Sequence, residues 1–111
     1  MHKKTVLVTG ASRGIGRAIA MTFAQNNYHV FLNCRHSISE LESVKSAIEA
    51  TPYGSCDIFI GDVGNPHSVK ELYEMIYTKY DCLDVLVNNA GIAHIGLLSD
   101  MSDEEWCNLL D

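Results

Sequence analysis

The segment Thr9-Gly10-Ala11-Ser12-Arg13-Gly14-Ile15-Gly16 carries three glycines spaced G-x-x-x-G-x-G. Gly10 would permit a tight turn, Gly14 would let the backbone approach a phosphate closely, and Gly16 would let a helix pack against its neighbours. Free N–H groups at a helix start, aided by the helix dipole, would then bind phosphate oxygens. Glycines alone also suit a purely structural turn. The phosphate reading gains its weight from their place between a strand and a helix. About 20 residues further on, where an acid gripping a ribose 2′-hydroxyl is the rule for NAD, the chain reads Asn33-Cys34-Arg35-His36, with no acid. Arg35 could instead pair with the 2′-phosphate of NADP in a planar, charge-assisted contact, and Arg13 could reach the same group. The residues therefore favour NADP (NADPH) over NAD. Otherwise both are solvated arginines, and His36 reads as a surface residue.

Two further segments could complete such a site. In Gly61-Asp62-Val63, Asp62 could accept from an adenine amino group while Val63 packs on the ring. Taken alone, Asp62 is an ordinary turn residue. In Asn88-Asn89-Ala90-Gly91, a buried Asn could tie strands through backbone hydrogen bonds, and the small Ala90-Gly91 pair leaves room for a ribose or nicotinamide. By composition this too could be only a turn.

The elements that must position these residues alternate. Thr5–Thr9 is a β-branched apolar run and reads as a buried strand. After the glycine turn, Ile15, Ile19, Ala20 and Phe23 recur at helical spacing until Asn26-Asn27. His29–Asn33 is a second strand. Ser37-Ile38-Ser39-Glu40 has the form of a capping box opening a helix striped by Leu41, Val44 and Ile48. A turn at 51–54 leads to a third strand within Cys56–Gly61. Asn65-Pro66 starts a helix whose face carries Val69, Leu72, Tyr73, Ile76 and Tyr80. Val85–Val87 is a fourth strand, and Ser102–Glu105 forms a second capping box opening a last helix.

Continuous apolar strands between amphipathic helices predict an α/β fold, a doubly wound parallel sheet covered on both faces. With right-handed crossovers the expected strand order is 3-2-1-4, truncated after about four strands. Its switch point lies between strands 1 and 4, so a ligand should cross the loops at Gly10–Gly16 and Asn88–Gly91.

Composition narrows the classes. The 111 residues hold 8 Lys plus Arg against 14 Asp plus Glu, a net charge of −6, which argues against a nucleic-acid partner. No apolar run is long enough to span a bilayer, and the N-terminal apolar run breaks too early for a signal peptide. Cys34, Cys56, Cys82 and Cys107 are widely spaced and read as free thiols of a cytoplasmic protein. No Cys/His spacing suggests a metal site.

Together these motifs resemble the short-chain dehydrogenase/reductase family. Thr9–Gly16 is similar to its cofactor motif, Asp62-Val63 to its adenine-side pair and Asn88–Gly91 to its strand-4 motif. Asp103-Glu104-Glu105-Trp106 resembles the branch containing 3-oxoacyl-[acyl-carrier-protein] reductases. The resemblance implies that residues 1–111 form the N-terminal part of a single NAD(P)-binding Rossmann domain. It implies an NADP-dependent carbonyl reductase or alcohol dehydrogenase acting on a small-molecule or carrier-bound acyl substrate, homo-oligomeric at full length. Gly10, Ser12, Arg13, Gly14 and Ile15 would surround the pyrophosphate and adenosine ribose, with Arg35 at the 2′-phosphate and Asp62 and Val63 at the adenine. Asn88, Ala90 and Gly91 would line the nicotinamide ribose, and His94 would face the substrate.

The family's acid is a Tyr followed four residues later by Lys. Here Tyr28, Tyr53, Tyr73, Tyr77 and Tyr80 are followed at that distance by Leu32, Asp57, Tyr77, Asp81 and Asp84. No catalytic residue is therefore expected in this chain, which reads as a cofactor-binding fragment that is inactive alone. The alternative is a stand-alone, non-catalytic NADP-binding module or pseudoenzyme.

Overall fold

The apolar segments become four parallel strands joined by helices in a computed structural model that describes residues 3–80 and 82–89. In chain order these are β1 (Thr5–Val8), α1 (Gly14–Gln25), β2 (His29–Cys34), α2 (Ile38–Glu49), β3 (Ser55–Ile60), α3 (Pro66–Lys79) and β4 (Val85–Val87). The sheet order is β3-β2-β1-β4, as the sequence predicts. Thr5 pairs with His29 and Val6 with Val85, so β1 is central and both its neighbours run parallel to it.

Residue alternation along the strands divides the core. Val6, Val8, Val30 and Leu32 face α1 and α2, where Ala20, Ala24, Leu41, Val44 and Ile48 cover them. Leu7 and Phe31 face the other way, against Val63, Leu72, Ile76 and Leu83. Every residue of β1 and β2 is buried, while β4 is only half-buried. A strand covered on two faces has no solvent side, which is why Val6–Val8 and Val30–Leu32 are unbroken apolar runs.

Several local expectations shift. β2 runs on to Cys34 and β3 begins at Ser55. The capping box at Ser37 does not form: the Ser37 side chain makes no cap hydrogen bond, and its backbone carbonyl accepts from Leu41 N–H at 2.9 Å instead. Asn65 does cap α3, accepting from His67 N–H at 2.8 Å with Pro66 behind it. Tyr73 turns from the core to stack on Tyr77, ring centroids 5.0 Å apart. Ile15, counted in the apolar recurrence of this helix, is 72% exposed. The buried face of α1 is instead Gly16, Ala20 and Ala24. Small residues one turn apart let this helix approach the sheet closely, which displaces the larger Ile15, Ile19 and Phe23 to its flank. The second capping box and the helix after it lie outside the described residues.

A polar cluster closes the amino ends of β2 and β3. The His29 ring, nearly buried, bridges Ser55 Oγ (2.9 Å from Nδ1) and Asp57 Oδ2 (2.8 Å from Nε2). Lys79 of α3 donates to Asp57 Oδ1 at 2.7 Å, and Lys3 donates to Ser55 Oγ at 3.0 Å and to the Tyr53 carbonyl. An ionised Asp57 can only accept, so Nε2 carries the proton and Nδ1 accepts from Ser55. Burial lowers the His29 pKa below its ordinary value, against the opposing pull of Asp57. Burial alone would raise the Asp57 carboxyl. The hydrogen bonds from Lys79 and His29, with their charges, outweigh it and hold the pKa below the usual range. Tyr80 stacks on His29 with centroids 4.8 Å apart, and burial pushes its hydroxyl pKa up.

Candidate functional site

At the carboxyl end of the sheet the chain leaves β1 through Thr9 and turns at Gly10, whose φ is +62°. That conformation favours glycine because it has no Cβ to meet the carbonyl. The Thr9 N–H donates to the Val87 carbonyl at 3.1 Å and Ala11 N–H to the Asn33 carbonyl at 2.9 Å, so the turn is pinned to both neighbouring strands. Asn89 holds it from the other side. Its backbone N–H donates to Thr9 Oγ1 at 2.9 Å and its side-chain amide to the Gly10 carbonyl at 3.2 Å. The loops after β1 and β4 thus meet directly, as the topology requires of a single crevice.

Helix α1 begins at Gly14, behind Arg13, whose backbone is extended and whose side chain caps nothing. No acidic residue occupies the first turn. Its leading N–H groups are therefore without a side-chain acceptor, the arrangement that receives an anion. Gly14 also has a φ of +62°, yet an added Cβ there would meet nothing within 4 Å. Gly16 is the reverse case: its Cβ would stand 2.1 Å from the Gly10 carbonyl oxygen and 2.7 Å from Asn89 Nδ2. Gly14 thus leaves open space where a phosphate could sit, and Gly16 permits the close packing that sets that space.

A cleft of about 520 Å³ opens beside this turn, lined by Gly10, Ser12, Arg13, Asn33, Cys34, Arg35, His36, Ser37, Val63 and Asn89. Arg13 and Arg35 line the same cleft, as the sequence predicts. His36, read from sequence as a surface residue, lines it as well. Asp62 stands at its edge, with Oδ2 3.5 Å from Arg35 Nη2. Its Oδ1 accepts from Gly64 N–H at 2.7 Å, so it is also the turn residue its composition suggests. Val63 lines the cleft but is almost wholly buried in the α3-side core, which limits it to one wall. The Ile15 side chain lines an apolar groove on α1 with Ala18, Ile19, Thr22 and Phe23, while its backbone stands in the first turn of the helix. Asn88 Oδ1 accepts from Thr9 Oγ1 at 3.2 Å, and its Nδ2 is buried without a partner among the described residues. Ala90, Gly91 and His94 lie outside the described residues.

Two asparagines tie the strand ends, one of them at a position to which the sequence assigns no role. Asn33, buried in β2, donates to the carbonyls of Phe59 and Gly61 at 3.1 Å each, tying the ends of β2 and β3 together. Asn89 ties β4 to the glycine turn. The tie expected of the Asn88-Asn89 segment falls to Asn89, and for Asn33 an amide inside an apolar strand was the available signal. Burial raises the Cys34 thiol pKa, although the backbone N–H groups of Ser37 and His36 hydrogen-bond to it and pull the other way. Among the described residues no group of three or more His, Cys, Asp or Glu could hold a metal, and no helix is long and apolar enough to cross a membrane.

An open parallel sheet with a left-handed glycine turn, an uncapped helix and a basic cleft at its switch point has the architecture of the nucleotide-binding doubly wound folds. The family model for short chain dehydrogenase matches residues 4–111, and the chain belongs to that family. It is 41% identical over 108 residues to the 3-oxoacyl-[acyl-carrier-protein] reductase FabG of Staphylococcus aureus (strain Mu50), covering 97% of this chain and 44% of that reductase. Against the Thermotoga maritima FabG the identity is 39% over 106 residues, covering 96% of this chain and 42% of the relative. The L-sorbose reductase of Gluconobacter frateurii, solved with NADPH and L-sorbose, matches with a TM-score of 0.74 at 28% identity, covering 94% of this chain and 39% of that one. The chain therefore spans less than half the length of the curated relatives it matches.

Proposed function

We propose that this chain is the nucleotide-holding part of an NADP(H)-dependent carbonyl reductase of the 3-oxoacyl-carrier-protein type, residues 1–111 being the N-terminal portion of one Rossmann domain. One observation carries the cofactor choice: Arg13 and Arg35 line a single cleft, and the chain at the end of β2 offers no acid to a ribose 2′-hydroxyl. The cleft suits the nucleotide on its own terms, since Gly14 leaves an open cradle and the first turn of α1 has no side-chain cap. NADPH, when bound, supplies hydride to a carbonyl. The residues here would hold its phosphates (Gly10, Ser12, Gly14, Ile15 and the α1 amides), its 2′-phosphate (Arg35 with Arg13) and its adenine (Asp62 and Val63). Gly16 would set the depth of the cradle, and Asn88, Ala90 and Gly91 would line the nicotinamide ribose. Relatives named for carrier-bound 3-oxoacyl substrates support a substrate of that class.

None of the five tyrosines has Lys four residues on. A tuned general acid is needed to protonate the alkoxide, so we read the 111 residues alone as binding nucleotide without reducing. Titration of the chain with NADPH and NADH, followed by nicotinamide fluorescence, tests the first part, and tighter binding of NADPH is expected. Equal affinity for the two would refute the assignment of Arg35. An assay of NADPH oxidation with a 3-oxoacyl thioester tests the second, and turnover at an enzymatic rate would refute it.

A further inference from the structure

The two arginines of the cleft are not equivalent. Arg13 makes no ion pair among the described residues, whereas Arg35 is paired through Nη2 to Asp62 Oδ2 at 3.5 Å. Asp62 is the better anchored partner. Its Oδ1 accepts from Gly64 N–H at 2.7 Å and its carbonyl from Asn65 N–H at 2.8 Å. The strand ends beneath the pair are also held, by Gly61 N–H to the Cys34 carbonyl at 3.0 Å and by the Asn33 amide to the Gly61 carbonyl at 3.1 Å. The carboxylate is therefore a hydrogen-bonded, anchored negative charge beside a long cation whose side chain is 56% exposed.

We propose that Asp62 competes with the nucleotide's 2′-phosphate for Arg35, and so tempers the preference for a 2′-phosphorylated nucleotide. This rests on the NADP reading above and adds a positioning role for Asp62, separate from any contact with adenine. An anion arriving at Arg35 must draw the guanidinium from the carboxylate or share it, and in either case it meets a negative charge nearby. Removing that charge while keeping the turn should favour the phosphorylated ligand. Asp62→Asn does so, because the amide oxygen can still accept from Gly64 N–H.

The experiment is a double-mutant cycle on the whole 111-residue chain, titrated by calorimetry with 2′,5′-ADP and with 5′-AMP. Adenine, the ribose and the single 5′-phosphate are common to both ligands, so any contact Asp62 makes with adenine cancels in the ratio of affinities. The ratio then reads the 2′-phosphate alone. Asp62→Asn is expected to raise this ratio about two- to five-fold, which is roughly 0.4–1 kcal/mol at 1.4 kcal/mol per tenfold, the scale of an exposed ion pair. In an Arg35→Ala background the same change should have less than half that effect. An unchanged or lowered ratio in Asp62→Asn overturns the proposal while leaving the NADP reading intact. An equal rise in both backgrounds also overturns it, since Asp62 would then act on the phosphate directly. If the parent chain shows no preference for 2′,5′-ADP and Arg35→Ala changes nothing, the NADP assignment of Arg35 falls, and this proposal with it.

Discussion

Gly16→Ala is the sharpest probe of how α1 and the two loops are assembled. The added Cβ would lie 2.1 Å from the Gly10 carbonyl oxygen, 2.9 Å from its carbon and 2.7 Å from Asn89 Nδ2. Two of those three atoms are backbone, so relief requires α1 and the Gly10 turn to part by about an ångström, against the close packing of protein interiors. Parting them strains the Asn89-to-Gly10 hydrogen bond of 3.2 Å and the Ala11-to-Asn33 bond of 2.9 Å. Overpacking costs roughly 1–3 kcal/mol, and a weakened hydrogen bond about 0.5–1.5 kcal/mol. Replacing a helical glycine by alanine returns roughly 0.5–1 kcal/mol. The expected net loss is about 2 kcal/mol, which for a chain of this size lowers the melting temperature by on the order of 10 °C.

Gly14→Ala is the control, because it meets no atom within 4 Å but must hold a φ of +62°. It should cost only the ~1–2 kcal/mol of a left-handed residue, while its Cβ intrudes on the open cradle. Circular dichroism in urea and on heating reads stability, and 2′,5′-ADP titration reads the cradle. Gly16→Ala should lose both stability and affinity, and Gly14→Ala chiefly affinity. A Gly16→Ala chain within about 0.5 kcal/mol of the parent, with unchanged affinity, would refute the close-packing argument.

Arg35→Ala should weaken NADPH binding by about 1.5–3 kcal/mol, the scale of a hydrogen bond to a charged group, and leave NADH nearly untouched. Paired fluorescence titrations check this. His29 sets a pH dependence. The unfolded His29 protonates as pH falls below 6.5, whereas the folded one, its pKa lowered by burial, resists. Stability should therefore be full above pH 6.5 and fall below it, by at most about 1.4 kcal/mol per pH unit. His29→Gln should flatten that slope in urea unfolding series at pH 5 to 7. A further loss belongs to Asp57, whose folded pKa is held below 3.8, and it should appear only in the more acidic range. Asn33→Leu removes the amide shared by the Phe59 and Gly61 carbonyls, and leaving those groups unpaired should cost about 1–3 kcal/mol by urea unfolding.

Periodicity, glycine spacing and cap residues determined the alternation of strands and helices, the strand order and the end of the sheet that carries the cleft. These are local or topological properties. A β-branched apolar run between amphipathic helices has few ways to be buried, and crossover handedness leaves a handful of orders, of which 3-2-1-4 is the familiar one. The family was legible for the same reason, in three motifs that occupy strand ends. Tertiary contact decided what local pattern does not encode. The burial of Gly16, Ala20 and Ala24 in place of Ile15 depends on how near α1 lies to the sheet, which the Gly10–Gly16 contact sets. The Arg35–Asp62 pair joins residues 27 positions apart, brought together only when β2 and β3 align their carboxyl ends. Asn33 became visible as a tie once there were neighbouring carbonyls to tie, and His29 as a buried base once Ser55, Asp57 and Lys79 had gathered around it. A side chain's type limits which bonds it can make, but which partners stand within three ångströms is a property of the folded chain.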